Sequence, residues 1–382
     1  MIISNKICAP SRLNTQKVEY LNCAISDPAL LHARLAMIAH VLPTKGPNTD
    51  STQVILHYTN KAIVLVKKQV ASYVPLTSDT IKAILSLSSL GANSGDLTSA
   101  KIHIDGLKAL ISNKGRTEAL IADPHLWRSI FWQLNIYRVD FNLAIAMESK
   151  PRFEVTDSTP FSPLDPRRTA TITRYKKRLY NLTALPKQGE AMIEFCYALR
   201  QMIVEEQKAD SQKKWPAESH YNRLLYGLLG LAQNTPSSPF DQNTLIYKLF
   251  GYAALAHVII FTRTEVLYLH TGPMPRVPSI TNILSLRIRA ILESSTLLAF
   301  QMAYPEMMLW IIMIGGLSTR ECIEKKWYAT VLAKMGCDTG IIGAAELATS
   351  LMEFIWSDLY LGLHFREFWD AFAMAQAALR CS

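Results

Sequence analysis

The sequence predicts an all-α protein, a globular body of about a dozen packed helices. Apolar residues recur at spacings of three and four almost throughout, Asp-Pro and Ser/Thr/Asp clusters stand where such runs begin, and no sustained period-two segment interrupts them. With 382 residues, 49% hydrophobic and only 19% charged, the chain can bury a large core and still leave an apolar interface.

Asp27-Pro28 opens the first clear helix, with Asp as N-cap and Pro in the first turn; Leu30, Leu31, Leu35, Ile38 and Val41 follow, and Pro43 closes it. Ser51 to about Tyr73 repeats the pattern through Ile55, Tyr58, Ala62, Leu65 and Val66. Thr77–Leu90 starts in a Ser/Thr/Asp cluster and is expected to stop at Gly91. Thr98–Asn113 carries Ile102, Leu107, Leu110 and Ile111. Asp123-Pro124 caps a long helix reaching about Met147.

Beyond a Pro/Ser/Thr/Asp-rich stretch, Glu154–Pro166, helices resume at Thr171–Leu182 and Lys187–Gln207. Asn243–Leu269 is apolar nearly all round, as a central buried helix would be. Ile280–Tyr304 follows a proline-rich break at Pro273–Pro278. In the C-terminal third, Tyr304-Pro305 begins an apolar run through Met307, Met308, Trp310 and Met313 to Gly315-Gly316, followed by Arg320, Lys326-Trp327-Tyr328 and Phe354-Ile355-Trp356-Ser357-Asp358. This reads as two buried helices in a hairpin, with Gly-Gly as the stop. The simplest organisation is one body over residues 1–382, with loops near 154–166, 208–216, 234–242 and 270–279.

The charge balance is +9, which fits an anionic partner without specifying one. The six cysteines, Cys8, Cys23, Cys196, Cys322, Cys337 and Cys381, are scattered, and closely spaced zinc-ligand pairs are absent. No apolar stretch reaches the roughly 18–20 residues that span a bilayer. Hydrolase, nucleotide-loop and dinucleotide signatures are missing, as is His-Glu-x-x-His. His32 and His40 lie about 12 Å apart along one helix, too far to share a metal ion. His257, on the apolar central helix, reads as a hydrogen-bonded core histidine. No catalytic residue, metal or cofactor is expected.

Two groups remain as candidate sites. Arg167-Arg168, Arg174 and Lys176-Lys177-Arg178 form the densest basic run, which fits a nuclear-import signal or an anion contact; the plainer alternative is a solvated helix face. Trp310, Trp327 and Trp356, with Met307 and Met308, fit either core packing or a pocket for a small apolar or aromatic ligand.

Four segments, taken in order, resemble the fungal-specific transcription factor domain. They are Ser26-Asp27-Pro28-Ala29-Leu30-Leu31-His32-Ala33, the His103-Ile104-Asp105-Gly106 helix within Ala100–Ile111, the stretch from Leu126-Trp127-Arg128 through Tyr137-Arg138-Val139-Asp140 to Lys150-Pro151-Arg152-Phe153, and the C-terminal hairpin. The resemblance runs from about residue 20 to about 370. It implies a nuclear regulatory domain that acts on transcription through protein partners, a second copy among them, and through a small ligand in some members. Members usually carry an N-terminal six-cysteine zinc cluster, but no Cys-x-x-Cys occurs here. Zinc-dependent reading of DNA is therefore not expected of this polypeptide. Either the reader has been lost or clipped from the gene model, or the chain is a stand-alone module. The alternatives are a helical enzyme with an unrecognised site, a helical adaptor and a truncated relic.

Overall fold

The structure, a computed structural model, describes residues 25, 27–41, 51–72, 77–112, 139–153, 166–179, 188–208, 218–233, 242–261, 280–294 and 301–381. These are α-helices, short 3-10 turns and their connections, with no strand among the described residues. They fall into two compact units. The first holds the described residues up to Met147 together with Pro151–Phe153; the second holds Glu148–Lys150 and the described residues from Pro166 onward.

The first unit contains α1 (Pro28–Val41), α2 (Ser51–Ala71), α3 (Ser78–Ser94), α4 (Leu97–Ser112) and a helical segment at 139–146. The Asp27 cap is as the sequence predicts, its carboxylate accepting from the Leu30 amide at 2.9 Å. Helix α3 packs on both sides. One face, with Ile81, Ile84 and Leu85, meets Ala100, Ile104 and Leu107 of α4 and Val139 and Leu143 of the segment beyond. The other, with Ala83 and Leu87, meets Ala29, Leu30, Ala33 and Ala62 of α1 and α2. Alanines at these contacts let the helix axes approach closely.

Gly91 does not end α3. The helix runs to Ser94 and stops at Gly95, whose φ of 85° is the left-handed cap that glycine adopts without strain. Gly91 is buried instead, and a Cβ there would lie 2.9 Å from the Ala100 amide nitrogen. The missing side chain is thus a helix-contact device.

The second unit contains α5 (Pro166–Arg178), α6 (Gln188–Lys208), α7 (Glu218–Gln233), α8 (Gln242–Phe261), α9 (Ile280–Ser294), α10 (Pro305–Ser318), α11 (Cys322–Thr339), α12 (Ala344–Leu351) and α13 (Arg366–Cys381), with 3-10 turns at Asp358–Leu361 and Leu363–Phe365. Helices α8 and α10 form its centre. Every residue from Leu249 to Ile260 and from Met307 to Ser318 is buried. Residues 123–138 of the predicted long helix from Asp123, the stretch 262–269 and the bodies of the four predicted loops lie outside the described residues.

The predicted C-terminal hairpin is present as α10 and α11, with two corrections. Gly315 and Gly316 are not its stop, because α10 continues to Ser318. Their missing side chains admit aromatic rings: a Cβ on Gly315 would overlap the Tyr328 ring, and one on Gly316 the Phe368 ring. The turn is made by polar side chains, with Thr319 Oγ1 accepting from the Glu321 amide at 3.1 Å and Asn282 Oδ1 from the Arg320 amide at 3.0 Å. The return helix is buried on one face only. Tyr328, Ala329, Leu332 and Ala333 point inward, while Ile323, Lys326, Thr330 and Lys334 are exposed.

Alanine has the higher helix propensity, so Gly315→Ala would raise stability by up to about 1 kcal/mol if Gly315 were an ordinary helix position. Because Tyr328 occupies the space, Gly315→Ala is expected to lower stability by about 1–3 kcal/mol in chemical denaturation. An unchanged or raised midpoint would show that Tyr328 yields freely.

Candidate functional site

The basic run lies on α5, and the structure divides it. Tyr175 is buried on the inward face; its ring meets Phe354 edge-on at 6.0 Å and its hydroxyl donates to the Phe354 carbonyl. Arg174 and Arg178 flank it and point at carboxylates. Arg174 Nη1 lies 2.6 Å from Glu353 Oε2, and Arg178 bridges Glu306 and Glu353. Lys176 and Lys177, on the opposite side of the helix, are exposed, and no described carboxylate pairs with them. Arg167 and Arg168 fall in the first turn of the helix. Two of the six basic residues therefore anchor α5 to the segment after α12, and Lys176 and Lys177 face outward.

That segment is held from a second helix as well. Arg200 Nη1 of α6 reaches the carbonyls of Met352, Glu353 and Phe354 at 3.3, 3.1 and 3.5 Å. These carbonyls follow the C-terminus of α12, where a cation is favoured by unpaired acceptors and by the helix dipole. The Tyr175 hydroxyl shares the Phe354 carbonyl. Sequence alone carries no sign of this clamp, because Arg200 and Phe354 are 154 positions apart.

Trp310 and Trp356 meet through Tyr360, and Trp327 lies elsewhere. The fully buried Trp310 is surrounded by Phe250, His257 and Phe354 at ring distances of 5.8, 6.0 and 6.0 Å. Its indole N–H points to the Tyr360 hydroxyl at 3.4 Å, which is also 3.3 Å from His257 Nδ1. Trp356 stands edge-on to Tyr360 at 5.2 Å, and the Trp369 N–H donates to the Tyr360 carbonyl at 2.8 Å. Burial pushes the Tyr360 hydroxyl far above its usual titration range and holds His257 down to about 3, so both are neutral at pH 7.

Trp327 packs against Tyr328 at 4.8 Å with the Arg289 guanidinium over its ring at 4.9 Å. Arg289 also pairs with Glu293 and Glu324, each at 2.8 Å. Beside it, Tyr328 donates to the Ser285 carbonyl at 2.6 Å and Ser285 donates to the Gly315 carbonyl at 2.9 Å.

In the first unit, two of the sequence segments singled out above are tied together. Asp140, fully buried, accepts from the Arg152 and Phe153 amides at 2.6 and 2.8 Å and from the Arg152 guanidinium at 3.4 Å. Arg152 continues to Asp105, which Lys101 also holds at 3.0 Å. Burial raises the Asp140 carboxyl, against the pull of these donors. His103, two positions from Asp105, takes no part in the network. Its pKa is lowered chiefly by burial.

Among the described residues no three His, Cys, Asp or Glu side chains are grouped to hold a metal ion, and no helix is long and apolar enough to cross a membrane.

The model of the fungal-specific transcription factor domain matches residues 4–373. The chain belongs to that family. No curated protein and no solved structure matches it. As a fungal-specific transcription factor domain it has a transcription-regulatory role. The match covers both units, so the Asp105–Arg152–Asp140 network, the basic helix and the tryptophan cluster all belong to the same family domain.

The buried histidine makes the domain sensitive to acid. An unfolded chain binds a proton on His257 below pH 6.5, whereas the folded chain does so only near pH 3. Between these values unfolding takes up a proton, so stability falls as the pH drops. At pH 5 this linkage costs about 2 kcal/mol. In denaturation at pH 7 and pH 5, the native chain is expected to lose about 2 kcal/mol more than His257→Phe. Equal losses would place His257 in contact with water.

Proposed function

We propose that this chain is a regulatory helical body that does not itself read DNA and controls transcription in the nucleus by engaging protein partners, not by catalysis. The family match over residues 4–373 carries this reading. The geometry supports it in two respects. The titratable residues best placed for chemistry, Asp140 and His257, are buried and engaged in structural hydrogen bonds. The sequence also lacks the paired cysteines of a zinc-cluster reader.

Fusing residues 1–382 to a heterologous DNA-binding domain and measuring a reporter in a fungal host tests the reading. Output is expected to rise or fall severalfold against the DNA-binding domain alone. Output indistinguishable from that control would overturn it.

The part of the basic run outside the Arg174 and Arg178 ion pairs is assigned to nuclear import. Replacing Arg167, Arg168, Lys176 and Lys177 with Gln in a fluorescent fusion, while keeping Arg174 and Arg178, is expected to shift the protein towards the cytoplasm. An unchanged nuclear signal would return the run to a solvated helix face.

A further inference from the structure

Helices α1 and α2, of 14 and 21 residues, contain no Asp or Glu. Asp27, which directly precedes α1, is engaged: one oxygen caps α1 and the other accepts from Gln69 Nε2 at 2.7 Å. Lys61, Lys67 and Lys68 are exposed on α2, and no described carboxylate pairs with them. Apolar side chains stand among these cations. Leu56 and Val64 are 54% and 65% exposed, although α2 buries Ala62 on its other side and packs Ile63, Leu65 and Val66 against the core.

The exposed residues follow helical spacing. His57, Lys61, Val64 and Lys68 form one row, with Leu56, Asn60 and Lys67 beside it. Leu56 and Val64 are thus about 12 Å apart along the axis. Between α1 and α2 lies a shallow, open groove of about 420 Å³ lined by His32, Asn60, Lys61, Val64 and Leu65. At its wall the His32 ring stacks on Tyr58 at 5.7 Å, and His32 Nδ1 is buried without a hydrogen-bond partner.

We infer that this face is a docking surface for an acidic amphipathic helix of a partner protein, with an apolar anchor in the Val64–Leu65 groove and carboxylates over Lys61, Lys67 and Lys68. Charge complementarity selects the occupant: the surface presents cations that no described carboxylate pairs, spaced for a helix. The groove separates this partner from nucleic acid, because phosphates would use the lysines but leave Leu56 and Val64 facing a charged backbone. The inference adds a site and a partner class to the protein-partner reading above and rests on it.

The test uses the full chain and a labelled 20-residue synthetic helix with Leu on one face and Glu on the other, followed by fluorescence anisotropy. Binding is expected, and it should weaken as salt is raised. Lys61→Glu combined with Lys68→Glu should weaken it at least tenfold, and the same peptide with Lys for Glu should bind that variant better than the native chain. A peptide with Ala for Leu should lose at least tenfold. The inference fails if the acidic peptide does not bind, if charge reversal leaves its affinity unchanged, or if the Ala peptide or a duplex oligonucleotide of equal charge binds as well. The reporter fusion reads regulation without this peptide, so a failure here and a failure there are separable.

Discussion

Helix α10 has no side to show to water, and the rest of the second unit follows from that. A helix buried from Met307 to Ser318 must be enclosed all round, so α8, α9, α11, α12 and the turns after it become its walls. Enclosure brings polar groups into contact with an apolar surface, and each needs a partner. The Trp310 indole, the Tyr360 hydroxyl and His257 satisfy one another in a chain, while Ser285 and Tyr328 do the same beside Gly315. The two glycines complete the fit by letting aromatic rings lie directly against the helix backbone.

The arginines and lysines serve different ends. Among the described residues Arg174, Arg178 and Arg200 reach carboxylates or carbonyls more than 100 positions away on the segment from Glu306 to Phe354, and Arg287 reaches Glu148. A planar guanidinium donates in several directions at once and suits a turn with several free acceptors. The exposed cations that no described carboxylate pairs include Lys61, Lys67 and Lys68 on α2 and Lys176 and Lys177 on α5. Part of the excess positive charge is thus located on faces that the folded core does not use.

The sequence exposes those features that act over one or two turns. Asp27 as a cap, the all-apolar runs of α8 and α10 and the helical bodies of α2 and α4 follow from local spacing and are found as expected. Glycine is the systematic failure. A glycine at the end of an apolar run has two uses, a left-handed cap or a close contact, and only tertiary structure separates them. Gly95 is the cap; Gly91, Gly315 and Gly316 are contacts. The basic run shows the same limit, since residues adjacent in sequence take opposite roles once α5 has an inward side. The three tryptophans were equivalent by composition, yet Trp310 and Trp356 share Tyr360 while Trp327 serves Arg289.

The Asp105–Arg152–Asp140 network ties together two of the four sequence segments that carry the family resemblance. Asp105 lies in the second segment, Asp140 and Arg152 in the third, and Arg152 is the member whose loss leaves the buried Asp140 without a charged partner. Removing one partner of a buried ion pair commonly costs about 3–5 kcal/mol, whereas most surface substitutions cost little. The buried pair is therefore fixed by the fold, whereas the exposed lysines of α2 and α5 can change at little cost to stability.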